Sequence, residues 1–279
     1  IPIACFMWAV GLVKIPRLTR SDFVKLVPQG LAHSAGQVAT VASLGDVAVS
    51  FTHIVKAAEP AVNAIASALI LGQVFHPMVY VCLLPVFGGV ALASSNELSF
   101  TTFGFLTAMG SNFAFVARNV LATKFGKAGD MGDDQQTRKT NQLAVLTMVA
   151  AAVVTPVCLF VPGGLLSIPS AWTGALDAGV SENELLFLIV SSGFYFYMYQ
   201  LSSFWVLSCV PPLTHSVLNS LKRVVVIVAA ILAFGTRVTL RSGCGAALAI
   251  GGVLSYSLAK AHYSRQGVGV QGAPDAEAA

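Results

Sequence analysis

The run V-A-V-S-F-T-H-I-V-K-A-A-E-P, residues 47–60, puts a lysine and a glutamate inside an apolar stretch that continues to residue 71. A stretch of that length matches the ~20 residues a helix needs to cross a hydrocarbon core about 30 Å thick. Counted from Val47 at 1.5 Å per residue, Lys56 lies about 14 Å into the span, near the bilayer centre. A charge there costs roughly 2.5–3.5 kcal/mol on insertion scales. Such residues usually face a water-filled cavity and meet an opposite charge in it.

The rest of the chain has the same character. Of its 279 residues 56% are hydrophobic and 10% are charged, and the mean hydropathy is +0.77. A soluble domain carries about 25% charged residues, so the composition defines an all-α membrane protein. Residues 1–13 read as the tail of a helix, so the chain reads as opening inside a span. Eight spans are expected after it, at 23–45, 47–71, 77–95, 99–122, 140–162, 184–209, 213–235 and 240–261. Threaded alternately, they collect Lys14, Arg17, Arg20, Lys25, Lys124, Lys127, Arg138, Lys139, Lys260 and Arg265 on one side. The other side receives only Arg237 and Arg241. That asymmetry supports the span count and puts the C-terminus on the basic, cytosol-like or stroma-like face. The stretch 264–279 reads as a disordered tail.

Three further cations fall more than two residues inside a span: Arg118 and the adjacent pair Lys222–Arg223. Against these four cations the same spans hold one carboxylate, Glu59, a net of +3. Lys222 lies about 14 Å in from Leu213, too deep for its stem to reach water. Arginine offers a planar fork for phosphate oxygens and lysine a point charge. The pattern points to a protein that moves anions. Lys56 has a second reading, as half of a buried ion pair with Glu59. Arg118, four residues from its span's end, suits snorkelling as well as binding. Gln37 and Thr40, on one face with His33, suit inter-helix hydrogen bonding as well as ligand contact. Tyr199, on a stripe with Ser192, Tyr195 and Ser202, has the same two readings. The cysteines read as small buried apolar residues, Asp130, Asp133 and Asp134 as a solvated loop, and the paired glycines as close helix contacts.

Two spans also resemble each other. S-F-T-H-I-V-K-A-A-E-P, Ser50–Pro60, leads to Gly72, and P-L-T-H-S-V-L-N-S-L-K-R, Pro212–Arg223, leads to Gly235. Each has Thr-His at its start, a cation near its middle and a glycine about 20 residues after the His. The spans lie five apart and so cross in opposite directions. An inverted repeat of this kind is common in secondary transporters, with the site near the midplane.

Residues 47–60 and 212–227, with S-N-F-A-F-V-A-R-N-V-L-A-T-K at 111–124, resemble the plastid phosphate translocators of the drug/metabolite transporter superfamily. The resemblance covers about Val13 to Tyr263. It implies a ten-helix fold of two inverted five-helix repeats, here 1–95 and 96–263, with the first span and part of the second lacking. It implies exchange of inorganic phosphate for phosphorylated carbon compounds, no enzyme activity, no cofactor and no metal. The partners it implies are phosphates and the lipid bilayer, with no nucleic acid. The membrane it implies is the plastid inner envelope or a plastid-derived one, the alternative being Golgi or ER. Lys56, Lys222 and Arg223 fall on the family's phosphate-binding cations, and Thr40 and Tyr199 on pocket positions. At Gln37 the family commonly has His, or Asn in the phosphoenolpyruvate type, so the substrate subtype stays open, as does the oligomeric state. Competing readings are a nucleotide-sugar transporter of the same superfamily, or an intramembrane enzyme acting on phospholipid. The enzyme would need a nucleophile or metal constellation such as paired Asp and His, and the cation-bearing spans hold one carboxylate.

Overall fold

A computed structural model describes residues 1–95, 97–125, 129–160, 164–209, 212–235 and 238–265. The side chains of 157, 160, 204, 207, 208, 212–217, 219, 220 and 265, which include His215 and Asn219, lie outside that description, as does the tail from 266 onward. The named elements among the described residues are all helices: α1 (Pro2–Ala9), α2 (Arg20–Asp46), α3 (Val49–Lys56), α4 (Glu59–Leu71), α5 (Pro77–Val81), α6 (Leu84–Ser94), α7 (Thr102–Phe125), α8 (Gln135–Phe160), a short 3-10 turn at Leu165–Ser167, α9 (Ile168–Asp177), α10 (Glu182–Cys209), α11 (Pro212–Phe234) and α12 (Leu240–Arg265).

Among the described residues, four stretches are long and apolar enough to cross a membrane: Val49–Leu71, Pro77–Ser94, Glu182–Ser203 and Leu240–Ser264. Helices α2 and α7 have the length, 27 and 24 residues. They also bury polar groups, among them Gln29, His33, Ser34, Ser111 and Asn112. Long helices carrying polar groups inward and Leu, Val and Phe outward are the form a chain takes when lipid is its solvent. Exposed Leu69, Phe103, Val225 and Leu232 show the outward half of that pattern.

Two of the expected spans are not continuous helices. The first divides into α3 and α4 around Ala57–Ala58, the second into α5 and α6 around Cys82–Leu83. The cause is the same in both. Pro60 follows Lys56 by four residues and Pro85 follows Val81 by four, and each upstream helix ends at that residue. Proline has no N–H to donate to the carbonyl four residues back, and its ring clashes with it. The gap after α3 is closed by tighter bonds, Ala57 N–H to Ile54 O at 3.0 Å and Ala58 N–H to Val55 O at 3.1 Å. Pro28 and Pro156, by contrast, lie inside helices that run on through them.

The chain separates into two compact units. One comprises Ile1–Ser34 and Lys127–Val210, the other Ala35–Gly126 and Pro211–Ala279. In the first, α8 packs on α10. Trp8 Nε1 donates to Asn141 Oδ1 at 2.9 Å, and Asn141 donates to the carbonyls of Lys14 and Met131 at 2.8 Å each. The acidic loop is used locally: Asp133 pairs with Lys14 at 3.0 Å, and Asp134 caps α8 by accepting from the N–H of Thr137 at 2.7 Å.

In the second unit α12 packs against α6, α11 against α3 and α12, and α7 against α3 and α4. Its core contains Phe51, Val55, Ala57, Ala58, Ala61, Val86 and Ala249, all buried. Burying a Val or Phe side chain is worth about 1.5–3 kcal/mol in a water-solvated core; in lipid, packing contacts supply more of the gain. Glycine fixes how closely α6 and α12 approach. A Cβ on Gly89 would lie 2.3 Å from the Ala249 backbone nitrogen, and one on Gly245 2.5 Å from that of Ala93. Of the other glycines expected at contacts, Gly252 faces Val86 closely, while Gly88 and Gly251 face open space.

The two similar spans end alike and differ inside. Gly72 and Gly235, the matched glycines, both have positive φ, +67° and +59°, just after a helix end. Glycine takes that left-handed conformation without a Cβ penalty. Within the spans, the first breaks after Lys56, whereas α11 continues unbroken through Lys222 and Arg223.

Candidate functional site

Lys56 is the last residue of α3 and is buried, at 9% exposure. Its ammonium donates to Ser111 Oγ at 2.8 Å and to Thr40 Oγ1 at 3.1 Å. It also lies 4.6 Å from the centre of the Phe115 ring. The charge is therefore held by two neutral hydroxyls and an aromatic face. Hydrogen bonds to a charged group contribute about 1.5–3 kcal/mol each, and a cation over a ring about 0.5–2 kcal/mol. Both hydroxyls are pinned in turn: Ser111 donates to Ala108 O at 2.7 Å and Thr40 to Gly36 O at 2.7 Å.

Helix α2 is joined to α3 a second time, where Ser43 Oγ and Thr52 Oγ1 lie 2.9 Å apart. Ser43 also donates to Gly104 O of α7 at 2.9 Å. Buried Asn112 of α7 supports the break after Lys56 directly, donating through Nδ2 to Val55 O at 3.0 Å. That carbonyl sits in the turn where the regular ladder stops.

Glu59 opens α4 and pairs with Arg223 of α11, Oε2 to Nη2 at 3.1 Å. The sequence left Lys56–Glu59 as a possible pair; in the structure the carboxylate goes to the arginine. Arg223 is buried at 7% and Lys222 beside it is half-buried. Arg118 of α7 is half-buried, donates to Asn119 Oδ1 at 2.8 Å and lies 5.3 Å from the Phe115 ring that Lys56 also uses. Glu59, Arg223, Lys222 and Arg118 all come near enough to act on the charge of Lys56. His53, one turn before it on α3, feels Arg223, Lys56 and Lys222 as well.

The second unit thus brings together Lys56, Thr40, Arg118, Lys222 and Arg223. Gln37, half-buried, lies one turn before Thr40 on α2. Tyr199 belongs to α10 in the first unit, where its ring lies 6.5 Å from that of Phe196. It is 45% exposed there, and Tyr195 is 70% exposed.

Sequence reasoning did not single out Ser111, Asn112 or Phe115. The signal was present: Ser111, Phe115 and Arg118 fall at i, i+4 and i+7, one helical face. Among the described residues no group of three His, Cys, Asp or Glu is placed to hold a metal.

A helical membrane protein with a cluster of cations buried among hydroxyls and one carboxylate is what the fold and site define. A family model for the Triose-phosphate Transporter family matches residues 1–257, and the chain belongs to that family. It is 38% identical over 258 residues to a chloroplast phosphoenolpyruvate/phosphate translocator of Oryza sativa subsp. japonica, covering 92% of this chain and 61% of that protein. It is 39% identical over 256 residues to a chloroplast glucose-6-phosphate/phosphate translocator of Arabidopsis thaliana, covering 91% and 63%. It is 38% identical over 255 residues to a triose phosphate/phosphate translocator of non-green plastids in Brassica oleracea var. botrytis, covering 91% and 61%. The chain spans about three fifths of the length of these relatives.

Proposed function

We propose that this protein exchanges inorganic phosphate for small phosphorylated metabolites across a plastid envelope or plastid-derived membrane, by alternating access. Triose phosphate, 3-phosphoglycerate, phosphoenolpyruvate and sugar phosphates are the candidate substrates. Lys56, Lys222 and Arg223 bind the phosphoryl group. Thr40 and Gln37 meet the carbon skeleton, and Arg118 adds positive potential at one side. In this account 1–95 and 96–263 act as the two inverted repeats.

The observation that carries it is the state of Lys56. A buried lysine side chain held by two neutral hydroxyls and a ring has no carboxylate in contact with it among the described residues, so an anionic ligand can serve as its counter-charge. A phosphate monoester brings about −1.5 to −2 at neutral pH and three strong acceptor oxygens. The four cations and Glu59 sum to +3, so the loaded site is nearer neutrality than the empty one. Reorientation of the empty carrier is then costly, which accounts for coupled exchange.

The test is uptake of labelled phosphate into liposomes loaded with three-, five- or six-carbon phosphates. Exchange against at least one class is expected. Exchange against a nucleotide sugar and against no simple organic phosphate would overturn the assignment.

A further inference from the structure

Glu59 enters the account above only as one unit of negative charge, yet it is the one carboxylate that the spans 47–71, 99–122 and 213–235 contain. It reaches Arg223, 164 residues away in sequence. We propose that Glu59 is a built-in counter-anion: its carboxylate holds Arg223 in the unloaded site and gives way to an incoming phosphate oxygen, thereby setting both affinity and release. This rests on the phosphate-exchange function proposed above.

The pair is built to open. It is a single contact, Nη2 to Oε2, on a guanidinium that carries five N–H donors. Its partners are unequally held. The side chain of Arg223 is 8% exposed and that of Glu59 24%, so the carboxylate is the member with room to move. Glu59 also sits next to the break at Ala57–Ala58, where the backbone is free of the regular helical ladder.

A displaced Glu59 has a favourable resting place. It is the first residue of α4, a helix of 13 residues, where the helix dipole stabilises a negative charge. Carboxylate and phosphate make the same kind of charge-assisted bond to a guanidinium. One can therefore replace the other on Arg223 without any cation being left bare. Lys56, engaged by Thr40 and Ser111, leaves the carboxylate to the arginine. The return of Glu59 to Arg223 then lets the phosphate leave.

The experiment compares wild type with Glu59→Gln and Glu59→Asp. Equilibrium binding of inorganic phosphate is measured on the purified full-length proteins, and KM and Vmax of phosphate exchange in liposomes. Removing the competing charge should make Glu59→Gln bind phosphate roughly tenfold tighter, with a matching fall in Vmax because release slows. Glu59→Asp, one methylene shorter, keeps the charge but reaches Arg223 less well. It should fall between the two, which gives a folded test should the Gln variant be unstable. A merely structural role predicts equal or weaker binding in both variants together with lower thermal stability, and that result would overturn the proposal. Wild-type protein that exchanges phosphate while Glu59→Gln and Glu59→Asp bind no tighter sinks this inference alone. Wild-type protein that neither binds nor exchanges phosphate sinks the exchange function as well.

Discussion

Pro60 lies four residues beyond Lys56 and denies its carbonyl a backbone donor, so the spanning segment breaks immediately after the buried lysine. The charge and the discontinuity are one construction. A helix end at membrane depth leaves backbone polar groups that lipid cannot satisfy. Asn112 adds a second donor at the break, to Val55 O, which already accepts from Ala58 N–H.

Restoring the missing donor should heal the break. Pro60→Ala is expected to extend α3 into α4 and to raise thermal stability by about 1–3 kcal/mol. The same change should slow phosphate exchange, because Lys56 and Glu59 would be locked at fixed helical spacing. Melting curves and exchange rates check the two effects. A variant more stable and equally active would show that the break has no part in transport.

The hydroxyls around Lys56 can be tested singly. Thr40→Val keeps shape and removes one acceptor; Ser111→Ala removes the other. Each should cut Vmax/KM for phosphate by roughly tenfold, from loss of a hydrogen bond to a charged group. Ser111→Ala should also lower stability, since that bond is fully buried.

Arg223→Lys keeps the charge and loses the planar fork that now serves Glu59 and would serve phosphate. Exchange should fall by tenfold or more, on the scale of about 1.5–3 kcal/mol for a charge-assisted bond. Unchanged exchange kinetics would count against direct coordination by Arg223.

Gln37 accepts and donates hydrogen bonds without carrying charge. Gln37→His should shift preference among organic phosphates more than it shifts affinity for inorganic phosphate, which lacks a second end. Carboxylated substrates should gain most at low pH, where imidazolium is populated. A uniform change across all substrates would make Gln37 a packing residue.

Much of this was legible in the sequence. The apolar periodicity gave helix α2 within a few residues of its limits, and the placement of Lys56, Lys222 and Arg223 showed that the spans hold cations in excess. The break was not anticipated, although Pro60 was in plain view, because Pro28 and Pro156 sit inside helices that continue. Hydropathy responds to side-chain polarity, and an alanine pair in a turn scores like an alanine pair in a helix. The partner of Glu59 was hidden for a different reason. Spacing along one helix suggested Lys56, and only the fold brings α11 to α4. Ser111 and Asn112 look like ordinary small polar residues until α7 is laid against α3.

Coupled exchange is tested most directly by labelled phosphate uptake into liposomes carrying the reconstituted full-length protein, with phosphate inside or with none. The net +3 within the spans predicts rapid uptake into loaded vesicles and at least tenfold less into empty ones. Equal uptake into loaded and empty vesicles would contradict it.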